Sequence, residues 1–169
     1  MPPRELERLH DEHADALFAF LLNLTRHEAD TRDALQEIFT KLATRPELLR
    51  GAHDERAFLL RLAHNLAIDL IRRRATRSRA HDAFAQELLE FFAPTADHDE
   101  SVFRRELAHA LGELPPDQRA VVHLKLWEGL TFDAIAGTLE IPLNTAASRY
   151  RYGLDKLRDR LRPLYDEIK

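Results

Sequence analysis

Thr131-Phe132-Asp133-Ala134-Ile135-Ala136-Gly137-Thr138-Leu139-Glu140-Ile141-Pro142-Leu143-Asn144-Thr145-Ala146-Ala147-Ser148-Arg149 carries two helical signals separated by a tight turn. Thr131 is a good N-cap, because its hydroxyl can accept from an orphan backbone N–H of the first turn. Phe132, Ile135, Ala136 and Leu139 then recur at helical spacing. Glu140-Ile141-Pro142 punctuates the pattern. Asn144 offers a second cap, and Tyr150, Leu154, Leu157 and Leu161 mark a longer helix that Pro163 is expected to end. A short helix, a turn and a longer helix form a helix-turn-helix. In that unit the first helix braces on the DNA backbone, and the N-terminal residues of the second reach base edges in the major groove. Asn144, Thr145, Ser148, Arg149 and Arg151 lie in the first turns and are the candidates for duplex contact. A plain antiparallel pair of helices fits the same pattern.

Outward from this stretch the periodicity stays helical. Val121, Val122 and Leu126 mark a preceding helix, with Gly129 as its expected C-cap and Leu114-Pro115-Pro116-Asp117 as its start. Phe103, Leu107 and Leu111 mark another. Near the N-terminus Leu6, Leu9, Leu17, Phe20, Leu21 and Leu24 fall on one stripe, and Leu35, Ile38, Phe39 and Leu42 on a second. Arg50-Gly51-Ala52-His53-Asp54 reads as a loop before a long helix from about Glu55 to Arg74. From Ala80 to about Glu100 the pattern weakens, and Ala93-Pro94-Thr95-Ala96-Asp97-His98-Asp99 has a linker composition. The expected fold is therefore all-α, with helical domains over 1–80 and 106–169 and an acidic linker over 81–105. The Phe91-Phe92 pair inside the linker fits a partner contact or a fold-back onto its own chain.

Composition narrows the function classes. The chain has 169 residues, 5 glycines and no cysteine, which favours helix and excludes disulfides and thiolate chemistry. No apolar run reaches the length of a membrane span, and the first residues lack the apolar core of a signal peptide, so a cytoplasmic protein without membrane insertion is expected. The net charge of -4 disfavours polyanion binding, but its distribution does not. Arg72, Arg73, Arg74, Arg77 and Arg79 form one basic cluster; Arg149, Arg151, Lys156, Arg158, Arg160 and Arg162 form another. Between them, 82–101 holds Asp82, Glu87, Glu90, Asp97, Asp99 and Glu100 with no Lys or Arg. A helix C-terminus favours cations, yet the first cluster exceeds what a dipole asks for, and a phosphate-binding stripe explains it better.

Taken together, these stretches resemble the extracytoplasmic-function (ECF) group of bacterial RNA polymerase sigma factors. The block from Asp33 to Phe39, followed by Arg56 to Arg74, is similar to the family's region two. Leu114 to Arg119, Glu128 to Ala136, Ile141-Pro142 and Thr145 to Arg149 are similar to region four. The resemblance implies that Asp33, Gln36, Glu37 and Phe39 dock on core RNA polymerase. It implies that Arg50, His53, Phe58, Asn65, Arg72, Arg73 and Arg74 serve the minus-ten element of promoter DNA, with a flipped base captured near the 50–54 loop. It implies that the helix from Asn144 reads the minus-thirty-five element, and that an anti-sigma factor is a family partner. Phe58 stands where Trp is usual, Glu140 where Gly is usual, and Ala146-Ala147 replace a branched apolar and a basic residue.

Other chemistry is thinly supported. No catalytic residue, cofactor or metal is expected. His10 and His13 could form a metal pair on one helix, but further ligands are not evident in the spacing. Arg8 and His13 match a spacing seen in helical ribonucleases, which chance supplies in a chain with this many Arg and His. Three functions thus stand side by side: a polymerase specificity subunit, a sigma-like regulator that does not engage polymerase, and a helical ribonuclease.

Overall fold

The structure, a computed structural model, describes residues 1–74 and 97–168. Its helices are α1 (Pro3–Thr25), α2 (Glu28–Thr44), α3 (Glu47–Arg50), α4 (Glu55–Arg74), α5 (His98–Glu113), α6 (Pro116–Leu126), α7 (Phe132–Leu139) and α8 (Leu143–Ile168). No strand occurs among the described residues. The all-α expectation holds. Arg77, Arg79 and the Phe91-Phe92 pair lie outside the described residues.

Local chemistry sets most helix ends. α1 begins with proline in its first turn, where no N–H is needed, and ends at Arg26, whose backbone is left-handed at φ 56°. The His27 ring accepts from the Asp30 N–H at 3.3 Å and caps α2. The Asp54 carboxylate accepts from the Ala57 N–H at 3.1 Å at the start of α4, and Arg72, Arg73 and Arg74 fill its last turn. Asp97 caps α5 through the N–H groups of Asp99 and Glu100. Thr131 caps α7 by accepting from the Ala134 N–H at 3.1 Å.

Three boundaries depart from the sequence expectation. α6 stops at Leu126, and Gly129 lies beyond the Trp127 cap position; its left-handed backbone (φ 66°) lets the Leu130 N–H return to the Leu124 carbonyl at 3.0 Å. Asn144 is not the cap of α8. The Pro142 carbonyl takes the first bonds, from the Thr145 N–H at 3.0 Å and the Ala146 N–H at 3.1 Å, so Asn144 sits inside the first turn. Pro163 does not end α8, which continues to Ile168. Proline's fixed φ is itself helical, and its exposed position near the helix end leaves water to replace the one lost backbone bond.

α1 packs on α2 and α4, and α8 packs on α5, α6 and α7. These two groups do not stand apart: α1 also lies on α6, and α4 on α7. The cause is visible in α1. Ala19, Phe20, Leu21, Leu22, Asn23 and Leu24 are all buried, so the end of this helix is enclosed on every side and not on one stripe. One core cluster runs from Leu9, Phe20 and Leu60 through to Val121, Leu124, Ile135 and Ala146. A second joins Leu22 of α1 to Leu111, Leu114 and Leu157. The apolar end of α1 thus belongs to both groups of helices.

Candidate nucleic-acid interface

α2 offers a polar outer face. Asp33, Gln36 and Glu37 are exposed, while Ile38 is fully buried. Glu37 pairs with Lys41 one turn on, at 2.9 Å. Phe39 is half-buried and its ring lies 5.0 Å from that of His10. A shallow groove of about 500 Å³, lined by Leu6, His10, Leu35, Gln36 and Phe39 among others, borders this face.

The second group of residues surrounds α3 and α4. Arg50 ends α3 and is exposed, as is His53 in the following loop. Phe58 is half-buried and packs on the main core, which suits a ring without an indole donor. A cleft of about 530 Å³ opens beside the loop, lined by His53, Phe58 and Arg61 on one side and by Leu130, Ala134 and Gly137 on the other. Asn65 is exposed on α4, next to His64. Burial pulls His64 below its usual pKa, while Asn65 and Asp117 raise it and Arg149 lowers it. Arg72 and Arg73 are exposed. Arg74 is bound by Asp30 through two contacts, Nε at 2.5 Å and Nη2 at 2.8 Å, which ties the end of α4 to the start of α2.

The helix-turn-helix is built as α7, a turn at Glu140 and α8. Glu140 adopts the left-handed backbone (φ 56°, ψ 47°) that the glycine usual at this position would take without strain. Asn144 and Arg151 are exposed; Thr145, Ser148 and Arg149 are half-buried. Ala146 is fully buried, so its small side chain sets how closely α8 approaches the core. Arg149 lies 3.7 Å from Asp117 of α6, and Arg151 stacks its guanidinium 5.2 Å from the Tyr152 ring centroid. Farther along α8 the basic residues are partly engaged at home. Arg160 reaches Glu113 at 3.4 Å, and Lys156 donates to Gln118 at 3.2 Å.

The structure also brings together residues that sequence reasoning missed. Arg61 of α4 donates to the carbonyls of Thr138 and Gly137 at 3.0 and 3.1 Å and pairs with Glu140 at 3.1 Å. Arg56 donates to both the carbonyl and the carboxylate of Glu128, each at 2.5 Å. Asn23 and His123, both buried, lie 3.0 Å apart. Arg119 donates to the Leu24 carbonyl at 3.2 Å, at the C-terminal end of α1 where the helix dipole favours a cation. Arg26 donates to the Ala108 carbonyl at 2.9 Å. Burial lowers the Arg119 guanidinium, and burial followed by the nearby Arg119 charge lowers Arg26. Burial pushes His123 down to about 3, so the ring is neutral. These partners are separated by 72 residues for Arg56 and Glu128 and by 100 for Asn23 and His123, beyond the reach of any periodicity.

Among the described residues, Glu12, His13 and Glu55 converge as potential metal ligands; His10 is not one of them. Arg8 is paired with both carboxylates at 2.8 Å, and His13 lies 3.4 Å from Glu55. Arg8 holds the Glu55 carboxyl below its ordinary range. Arg8 and His13 thus share one carboxylate that fastens α1 to α4.

Comparison with known proteins decides among the functions. The family description Sigma-70 region 2 matches residues 9–77, and Sigma-70, region 4 matches 104–157. The ECF RNA polymerase sigma factor SigL of Mycobacterium tuberculosis is 32% identical over 161 residues, covering 94% of this chain and 90% of that protein. The chain belongs to the ECF RNA polymerase sigma factors. SigX of Bacillus subtilis is 27% identical over 165 residues, with 95% and 85% covered. SigE of Mycolicibacterium smegmatis is 31% identical over 158 residues, but this sigma factor spans only 61% of its length. The sigma factor RpoE of Bartonella quintana, solved in complex with the anti-sigma factor NepR, shares the fold at a TM-score of 0.69 and 20% identity, with 94% and 95% covered. Sigma factors are transcription regulators rather than enzymes. No described helix of this one is long and apolar enough to cross a membrane.

Proposed function

We propose that this sigma factor directs core RNA polymerase to promoters through three surfaces and carries no catalytic residue of its own. Asp33, Gln36, Glu37 and Phe39 dock on polymerase: the polar three offer hydrogen bonds and charge, and the half-exposed ring offers apolar area. Arg50, His53, Phe58 and Asn65 receive the opened minus-ten strand, where the cleft beside the 50–54 loop takes an extruded base. Extrusion costs a few kcal/mol, repaid by enclosure and by bonds to the base edge, and an Asn amide can both donate and accept there. Arg72, Arg73 and Arg74 hold the strand backbone; Arg74 must first exchange Asp30 for phosphate. Asn144, Thr145, Ser148, Arg149 and Arg151 read the minus-thirty-five duplex from the first turns of α8.

The observation that carries this proposal is the helix-turn-helix with exposed Asn144 and Arg151, on the same chain as an α2 face whose Asp33, Gln36 and Glu37 have been left to solvent. The protein would work where polymerase works, in the cytoplasm. A solved relative is bound to an anti-sigma factor, and a partner of that kind is proposed here too. Run-off transcription with purified core polymerase tests the whole. Promoter-directed transcript, reduced by Arg149→Ala and by Gln36→Ala with Glu37→Ala, is the expected result. Promoter binding without any transcript would favour a regulator that does not engage polymerase.

A further inference from the structure

Burial divides α8 into two faces. Ala146, Gly153 and Leu157 are buried, and Tyr150 packs its ring on Phe132 with centroids 5.4 Å apart. These residues recur at helical spacing and make the inner stripe. Asn144, Ser148, Arg151 and Tyr152 lie on the other side, with Asn144, Arg151 and Tyr152 exposed. The readers legible in the sequence stop at Arg151. Tyr152 continues the row of Asn144 and Ser148, yet keeps 54% of its surface in solvent. Among the described residues, the other large apolar side chains left exposed are Leu126, Leu143 and Tyr165.

We infer that Tyr152 is a further specificity-determining residue, whose ring packs on the 5-methyl group of a thymine in the minus-thirty-five duplex. This role rests on the reading of α8 proposed above and adds a base identity to it.

The ring is held for that contact. The Arg151 guanidinium lies 5.2 Å from its centroid, within the range at which a cation is attracted to a π face. One face of the ring is covered in this way, and its edge is left for a partner. Thymine is the base that offers an apolar group in the major groove, where the others present donors and acceptors. The phenol oxygen, which both donates and accepts, can stay in the water of the groove.

Position along the helix fits the same contact. Residues 147 and 148 are Ala and Ser, short side chains that let the middle of this face come close to the duplex. From Asn144 to Tyr152 is ~12 Å of helix axis. That is about three base-pair steps, so the ring meets a different base pair from the first-turn readers. One turn farther, Asp155 is exposed on the same side, and its carboxylate would repel phosphate. The apolar reach of this face therefore ends at Tyr152.

The test uses the full-length protein with core polymerase. In a promoter that it transcribes, each thymine of the minus-thirty-five element, on either strand, is replaced singly by deoxyuridine, which lacks only the 5-methyl group. The wild type should lose about fourfold in competitive promoter binding at one such position, the worth of one buried methyl group. Tyr152→Phe should keep that loss, because the ring remains. Tyr152→Ala should bind the thymine and deoxyuridine duplexes equally at that position and respond to the other replacements as the wild type does. No methyl effect in the wild type, an effect that persists in Tyr152→Ala, or one that Leu143→Ala removes instead, overturns the inference and leaves the sigma function intact. A wild-type protein that yields no promoter-directed transcript from any template removes the function itself, and the thymine contact falls with it.

Discussion

Arg149 serves two masters: Asp117 at 3.7 Å holds it loosely in the free protein, and a base edge would claim it on the promoter. A bidentate guanidinium contact to a base is worth about 1–3 kcal/mol of discrimination. Arg149→Ala is therefore expected to lower transcript about tenfold or more on a preferred minus-thirty-five sequence and to flatten the difference between good and poor ones. A panel of single-base promoter variants measures both. His123 makes a different prediction. Its ring is buried and neutral with a pKa near 3, whereas the unfolded chain protonates it around pH 6.5. The unfolded state thus binds more protons below about pH 6.5, so stability falls as pH drops through that range, by up to about 1.4 kcal/mol per pH unit from this group. Urea midpoints should decline from pH 7 to pH 5, and less so in the Asn23→Leu, His123→Phe double variant. The exposed candidates Gln36, Glu37, Asn65 and Arg72 were legible in the sequence, because helical period alone assigns a polar residue to an outer face. His123 and Asn23 were not: each reads as an unremarkable polar residue until its distant partner is in place.

Helix ends show why some elements are readable and others are not. The Thr131 cap of α7 is a purely local device, and the sequence announces it; Thr131→Ala is expected to cost about 1 kcal/mol in chemical denaturation. The left-handed turn residue Gly129 has open space where a Cβ would stand, so Gly129→Ala tests backbone strain alone and should destabilise by about 1 kcal/mol. Gly153 is the opposite case. A Cβ there would lie 2.8 Å from Val122 Cγ2, which means that α6 and α8 touch closely and Gly153→Ala must push them apart. Its Tm should fall more than that of Gly129→Ala, since a packed core resists added volume. The misread ends, Asn144 and Pro163, share a cause. A good cap and a good breaker are only permissive signals, and the Pro142 carbonyl and the solvent beside the last turns overrode them.

At the scale of the molecule, net charge and local charge point in opposite directions. The chain is acidic overall, at -4, yet presents Arg72 and Arg73 at the exposed end of α4. If both hold phosphate, log affinity for opened promoter should fall steeply with log salt, and Arg72→Ala with Arg73→Ala should flatten that slope by about 0.7 per lost contact to single strand. Filter binding of the polymerase complex across a salt series gives the value. The class, the helix order and both sigma regions could be read from the sequence because each depends on patterns a few residues long. The docking of the halves could not, since the same apolar residues on α1 serve equally for a helix buried on one side or on all.

One consequence follows from the stacking of Trp127 on His123, with ring centroids 5.5 Å apart at the seam where α1 meets α6. The chain has a single indole, so emission excited at the red edge, beyond tyrosine absorption, comes from this ring alone. While the contact is buried, the adjacent imidazole is uncharged, the form that quenches an indole less than the protonated ring. Wetting the seam would shift the light to longer wavelength, and at mildly acidic pH a newly charged ring would dim it. The molecule carries its own optical gauge of whether the packing of α1 on α6 is intact.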